Sequence, residues 1–119
     1  MAVKNDKWFA TGRRKSSVAR VIMSKGSGKF LVNGREFNEY FNRDTQKMVI
    51  KKPMDLLEIG KAYDIIANVH GGGQTGQAGA IRLGLSRALE KINGDFRSTL
   101  KTNGMLTRDS RKVERKKYG

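Results

Sequence analysis

Three groups of residues have the types and spacing to grip an anion. Arg13, Arg14 and Lys15 are consecutive cations within TGRRK. Gly71, Gly72, Gly73, Gly76 and Gly79 crowd into HGGGQTGQAGA, directly ahead of a stretch with helical periodicity. A glycine-rich bend feeding a helix N-terminus aims several free N–H groups in one direction, a geometry suited to phosphate. Arg108, Arg111, Lys112, Arg115, Lys116 and Lys117 crowd the last dozen residues. The chemistry these offer is electrostatic and hydrogen-bonding.

Covalent and metal chemistry lack their parts. His70 is the only histidine and there is no cysteine, so neither a thiolate site nor a histidine cluster can form. Glu36 and Glu39, three residues apart, read as a solvated helix face. No glycine of the loop is followed by Lys and Ser/Thr, so the P-loop lysine and magnesium ligand are missing. No cofactor, no metal and no small-molecule substrate is expected, and the chain is read as a non-enzyme.

The charge distribution decides between two readings of the glycine loop, a close-packing turn or a cradle for a polyanion. The 119 residues carry 25 Lys+Arg against 11 Asp+Glu, a net +14. Residues 1–30 and residues 71–119 each hold a net +7, while residues 31–70 are neutral. Two basic ends around a neutral middle are the footprint of a polyanion-binding protein, with nucleic acid the favoured partner. No basic amphipathic helix points to an anionic membrane. No apolar run is long enough to span one, and MAVKNDKWFATGRRK lacks a signal-peptide core, so an intracellular, cytoplasmic protein is expected.

These residues need a scaffold, and the length and the 37% hydrophobic content allow one modest core. Lys7–Ala10 begins a strand. Ser17–Ser24 alternates, with Ala19, Val21 and Met23 inward and Arg20 breaking the other face. Residues 25–28 read as a hairpin turn, residues 29–32 as its returning strand, and Asn33-Gly34 as a further turn. Phe37, Tyr40 and Phe41 have helical spacing and are read as core. Thr45–Lys51 reads as a short helix, and Pro53 opens another that Gly60 closes. Residues 63–70 form a strand running into the glycines. Those glycines should delay the next helix, whose buried face is Ala78, Ile81, Leu85, Ala88, Leu89 and Ile92, with Arg82, Ser86, Arg87, Glu90 and Lys91 outside. Asp95 is placed to cap a last helix, which carries Arg97 and ends at Asn103-Gly104. The expected class is α+β, a two-layer sandwich of a mixed sheet with helices on one face, comprising a globular domain over residues 1–104 and an extended basic arm over residues 105–119.

TGRRKSSVARV (11–21), GGGQTGQAGAIRLGLSRAL (71–89) and LTRDSRKVERKKYG (106–119) together resemble the bacterial form of the ninth protein of the small ribosomal subunit. The resemblance implies the fold of the second domain of the fifth small-subunit protein, with a left-handed βαβ crossover. It implies a structural role on ribosomal RNA in the subunit head, the 3′ major domain, near the peptidyl-tRNA site and beside other head proteins. Candidate RNA contacts are then Arg13, Arg14, Lys15, Arg20, Gly72, Gly73, Gln74, Gln77, Arg82, Arg87, Arg97 and the six arm cations. The family's basic tail reaches transfer RNA in the peptidyl site. This sequence ends at Lys116-Lys117-Tyr118-Gly119, where the family usually continues, so that contact is expected only from residues beyond Gly119. Two other classes are weighed against this one: a phosphotransferase of related fold, which also sets a glycine-rich loop before a helix, and a free RNA chaperone.

Overall fold

The computed structural model describes residues 7–106. The arm cations Arg108, Arg111, Lys112, Arg115, Lys116 and Lys117 lie outside the described residues. The elements are β1 (Lys7–Arg14), β2 (Ser17–Lys25), β3 (Phe30–Val32), β4 (Arg35–Glu36), α1 (Phe37–Tyr40), α2 (Asp44–Leu57), β5 (Tyr63–His70), α3 (Gln74–Ile92) and α4 (Phe96–Thr102). The five strands form one mixed sheet in the order β1-β2-β5-β3-β4, with β3 parallel to β5 and every other pair antiparallel. Helices pack on this sheet, the α+β arrangement that the sequence and the resemblance both imply.

Alternation sets the inner face. Ala19, Val21 and Met23 of β2 and Ile65, Ala67 and Val69 of β5 are all buried, beneath Ala78, Ile81, Leu85 and Leu89 of α3. Phe30, Phe37 and Phe41 extend the core at the other end, with Phe30 stacked on Phe37 at a centroid separation of 4.5 Å. The aromatics at helical spacing therefore pack as core. Asn33 and Gly34, at φ 52° and 82°, make the tight β3–β4 turn.

The order of the sheet corrects the hairpin expected after β2. β3 does not return along β2, because β5 lies between them. The cause sits at the start of β5. Asp64 Oδ1 accepts the backbone N–H groups of Ser27, Gly28 and Lys29 at 3.0, 3.1 and 2.9 Å, and the Gly26 N–H donates to the Ala62 carbonyl at 3.0 Å. The loop closes around β5 rather than onto β2. The N–H groups of Lys29 and Ser27 hold the Asp64 carboxyl below its ordinary value of 3.8, outweighing an opposing effect of desolvation, and the Gly28 N–H adds to them. The folded protein thus binds this proton more weakly than the unfolded chain. Its contribution to stability is complete above the unfolded value and is withdrawn as pH falls through the folded one. Urea unfolding between about pH 2 and 5 is expected to show a steeper acid loss for the wild type than for Asp64→Asn, which cannot ionise there; parallel curves would remove Asp64 from the acid dependence.

Several helix expectations also change. Residues 44–57 form one helix with Pro53 inside and buried, not two short ones. Proline removes a single N–H from the ladder, and packing of α2 on α3 and α4 carries the helix through it. Glu58, in the left-handed region at φ 54°, ends α2. α3 starts at Gln74, so Gly76 and Gly79 lie inside it rather than in the loop. Since α2 and α4 cover sides of α3 that the sheet does not, Ser86 is buried instead of outward, its hydroxyl donating to the Arg82 carbonyl at 2.9 Å. Asp95 precedes α4 but makes no side-chain cap; its N–H donates to Asn93 Oδ1 at 2.9 Å. Met105, read as the first residue of the arm, is buried in the core and its N–H donates to the Leu100 carbonyl at 2.8 Å.

Candidate nucleic-acid interface

One end of the sheet gathers the anion-binding parts. The β1–β2 turn at Lys15-Ser16 and the β5–α3 loop at residues 71–73 lie against each other. The Ser17 hydroxyl donates to the Gly71 carbonyl at 2.9 Å. Gly71 and Gly72 have φ of 84° and 59°, and a Cβ on them would lie 2.2 Å from the Ser16 carbonyl oxygen and 2.5 Å from Ser17 Oγ. Only glycine meets both conditions, so this contact fixes the loop beside the cationic turn.

A hydrogen-bonded chain locks the loop from the other side. Asn33 Nδ2 donates to the Val69 carbonyl at 2.9 Å and to Tyr40 Oη at 3.3 Å, and the Val69 N–H donates back to Asn33 Oδ1 at 2.8 Å. The Tyr40 hydroxyl donates to Gln77 Oε1 at 2.8 Å, and Gln77 Nε2 donates to the Gly71 carbonyl at 3.1 Å. Gln74 Nε2 donates to the Tyr40 carbonyl at 2.8 Å. Gln77 is buried with both ends of its amide occupied, so its role is to hold the loop; Gln74, although exposed, is likewise engaged within the chain. Ser17, Asn33 and Tyr40 are positioning residues that sequence reading treated as strand, turn and core. No spacing announces such a network, because its members are dispersed along the chain.

What the lock leaves outward is electropositive. Gly71, Gly72 and Gly73 are exposed, and α3 begins after Gly73 with no side-chain cap. The Gln77 N–H closes the first helical bond, to the Gly73 carbonyl at 2.9 Å, so the N–H groups of Gln74, Thr75 and Gly76 precede the ladder and carry the positive end of the helix dipole. Lys15, at φ 57°, is exposed in the adjacent turn. Arg13 is exposed on the outer sheet face, and Arg20 stands one row further in on that face. Arg14 is half-buried and lies along α3, where a Cβ on Gly79 would come within 2.9 Å of its Cδ. The glycines inside α3 therefore serve close packing, the first of the two readings of the glycine-rich stretch.

The remaining described cations fall elsewhere. Arg82 is half-buried and lines a cleft against α2 with Met48, Val49, Lys52, Asp55 and Leu56. Arg87 Nη1 donates to the Thr11 carbonyl at 2.8 Å, and Lys91 Nζ donates to the Phe9 carbonyl. Both acceptors belong to β1, the edge strand, so α3 covers two of its unpaired carbonyls. Arg97 is exposed and pairs with Glu90 at 3.4 Å, a surface ion pair of small energetic weight. At 1.5 Å per residue, Arg82 and Arg87 stand about 12 and 20 Å along α3 from Gln74. The structure thus brings together Arg13, Arg14, Lys15, Arg20, Gly72 and Gly73, and sets Arg82, Arg87 and Arg97 apart.

Among the described residues, no group of three or more His, Cys, Asp or Glu could hold a metal ion, and no helix is long and apolar enough to cross a membrane. The site offers charge and N–H donors arranged for polyanion backbone. Compared with known protein families, the chain matches the family described as ribosomal protein S9/S16 over residues 12–119.

Proposed function

Because the chain belongs to the ribosomal protein S9/S16 family, whose members are structural ribosomal proteins rather than enzymes, we propose that it binds RNA of the small subunit, in the head, through the end of the sheet where the β1–β2 turn meets the start of α3. Membership carries the coarser statement, a ribosomal protein with ribosomal RNA and ribosomal proteins as partners, and sets the phosphotransferase class aside.

The observation that carries the finer reading is the contact between Gly71, Gly72 and Ser17, which fixes an uncapped helix N-terminus beside three consecutive cations. RNA folded tightly brings phosphates together, and a fixed cluster of donors meets them without ordering cost. Arg13, Lys15 and Arg20 supply charge, Arg14 supplies its guanidinium from a stem held against α3, and Gly72 and Gly73 let the backbone approach. Arg108, Arg111, Lys112, Arg115, Lys116 and Lys117 add further positive charge. The RNA it binds lies near the peptidyl-tRNA site, and its neighbours are other head proteins. The motifs quoted above support the bacterial type, and the protein works in the cytoplasm as part of the ribosome.

A salt titration of binding to the isolated head-domain RNA tests this. Log K is expected to fall linearly with log salt with a slope of about −5 or steeper, as for a protein neutralising six or more phosphates. A slope near zero would defeat the proposal.

A further inference from the structure

Among the described residues, no helix packs on the outer face of the sheet, opposite α3. Strand register places Phe9 opposite Ile22, Ile22 opposite Ile66, and Ile66 opposite Leu31, so four apolar side chains form one row across β1, β2, β5 and β3. Phe9 is 56% exposed and Ile66 43%, while Ile22 and Leu31 are half-buried. Four strands at about 4.8 Å spacing make this row about 15 Å wide. Two residues along the strands, about 7 Å towards the glycine loop, Arg20 stands out from the same face, and Arg13 lies one row beyond it.

We propose that this face receives one or two unpaired nucleotides of RNA, with a base laid on Phe9 and the aliphatic row and the flanking phosphates on Arg20 and Arg13. The inference rests on the RNA-binding reading and adds a base-contacting surface to a phosphate-contacting one. Three observations favour this occupant over a protein. The cations beside the row select an anionic partner. The apolar patch is four side chains wide, well short of the roughly 800 Å² per partner that a stable protein interface buries. A base has a flat apolar face and a phosphate within one sugar of it, which suits a row of apolar side chains with arginine about 7 Å away. Single-stranded RNA is read on open sheets in this way elsewhere, by stacking on exposed aromatics.

Fluorescence anisotropy on the full chain, with a labelled ten-nucleotide single-stranded RNA and an abasic strand of equal phosphate count, provides the test. The wild type is expected to bind the RNA more tightly than the abasic strand. Phe9→Leu keeps the position apolar and should leave the thermal melt unchanged. It is expected to weaken RNA binding about fivefold or more while leaving abasic-strand binding as it was. Ultraviolet irradiation of the wild type with a 4-thiouridine-substituted strand should attach it to the peptide containing Phe9, a readout independent of any variant. Equal RNA affinity for Phe9→Leu and wild type, with crosslinks confined to other peptides, would overturn the stacking face yet leave the phosphate reading standing if the abasic strand still binds. Binding of neither strand would overturn both. Loss of a ribosomal protein partner from Phe9→Leu with RNA binding intact would reassign the face to protein docking and overturn the proposal.

Discussion

Gly12→Ala is expected to cost about 3 kcal/mol or more in stability, or to prevent folding, although alanine adds one methyl group. That Cβ would lie 2.0 Å from the Ala80 carbonyl oxygen and 2.4 Å from the Gly84 nitrogen. Both are backbone atoms of α3, so no side chain can move aside; the helix or the strand must shift. Gly84 makes the opposing surface equally bare, since a Cβ there would meet Val21 Cγ2 at 2.8 Å. The closeness of β1 to α3 also lets Arg87 and Lys91 reach the β1 carbonyls, so displacement breaks those bonds too. Gly94→Ala is the control: nothing lies within 4 Å of its would-be Cβ and its φ is not in the left-handed region, so stability should stay within about 0.5 kcal/mol of wild type. Urea denaturation of the two variants distinguishes close packing from a general need for glycine. Equal stabilities would refute the close-packing account.

Replacing Arg13 and Lys15 together with alanine should leave the fold intact and weaken binding to head-domain RNA by roughly tenfold per residue, with a salt slope shallower by about 2. Both side chains are exposed, and neither supports the core. Arg14 is left in place because its stem packs on α3, so its removal would mix a packing loss with a binding loss. Arg97→Ala serves as the comparison. That residue already pairs with Glu90 on α4's side of the molecule, and its loss should change the slope by less than half a unit. Filter binding across a salt series separates the two. An unchanged slope for the Arg13/Lys15 variant would take the turn out of the interface.

Sequence periodicity located the parts of this fold that local rules govern. The inward set of β2, and the α3 face through Ile81, Leu85 and Leu89, followed from spacing alone, because a buried face must repeat with its element. The order of strands did not follow. Residues 25–28 have the composition of a hairpin turn, whereas the groups that hold the chain around β5, Asp64 and the Ala62 carbonyl among them, lie some 35 residues on. Pro53 and the glycines of α3 misled for a related reason: propensity describes an isolated helix, whereas α3 packs against β1, β2, α2 and α4 at once. The cationic turn and the glycine loop were both legible as candidates. Their juxtaposition was not, since Ser17 and Gly71 are far apart in the chain and meet only when β5 enters the sheet. Gln77 reads as a ligand contact in one dimension, and in the fold it is buried with its amide bonded to Tyr40 and Gly71, a setting that a one-dimensional pattern does not carry.

The late arrival of β5 has a consequence for biogenesis. A nascent chain that has emerged only as far as Ala62 has neither the central strand that joins β2 to β3 nor α3 to cover them. Val21 and Met23 then face solvent, and the bare edge of β2 is open to any passing strand. At translation speeds of about 5–20 residues per second, the thirty residues through α3 need a few seconds to appear. For that interval the net +7 of residues 1–30 opposes the approach of a second copy carrying the same charge.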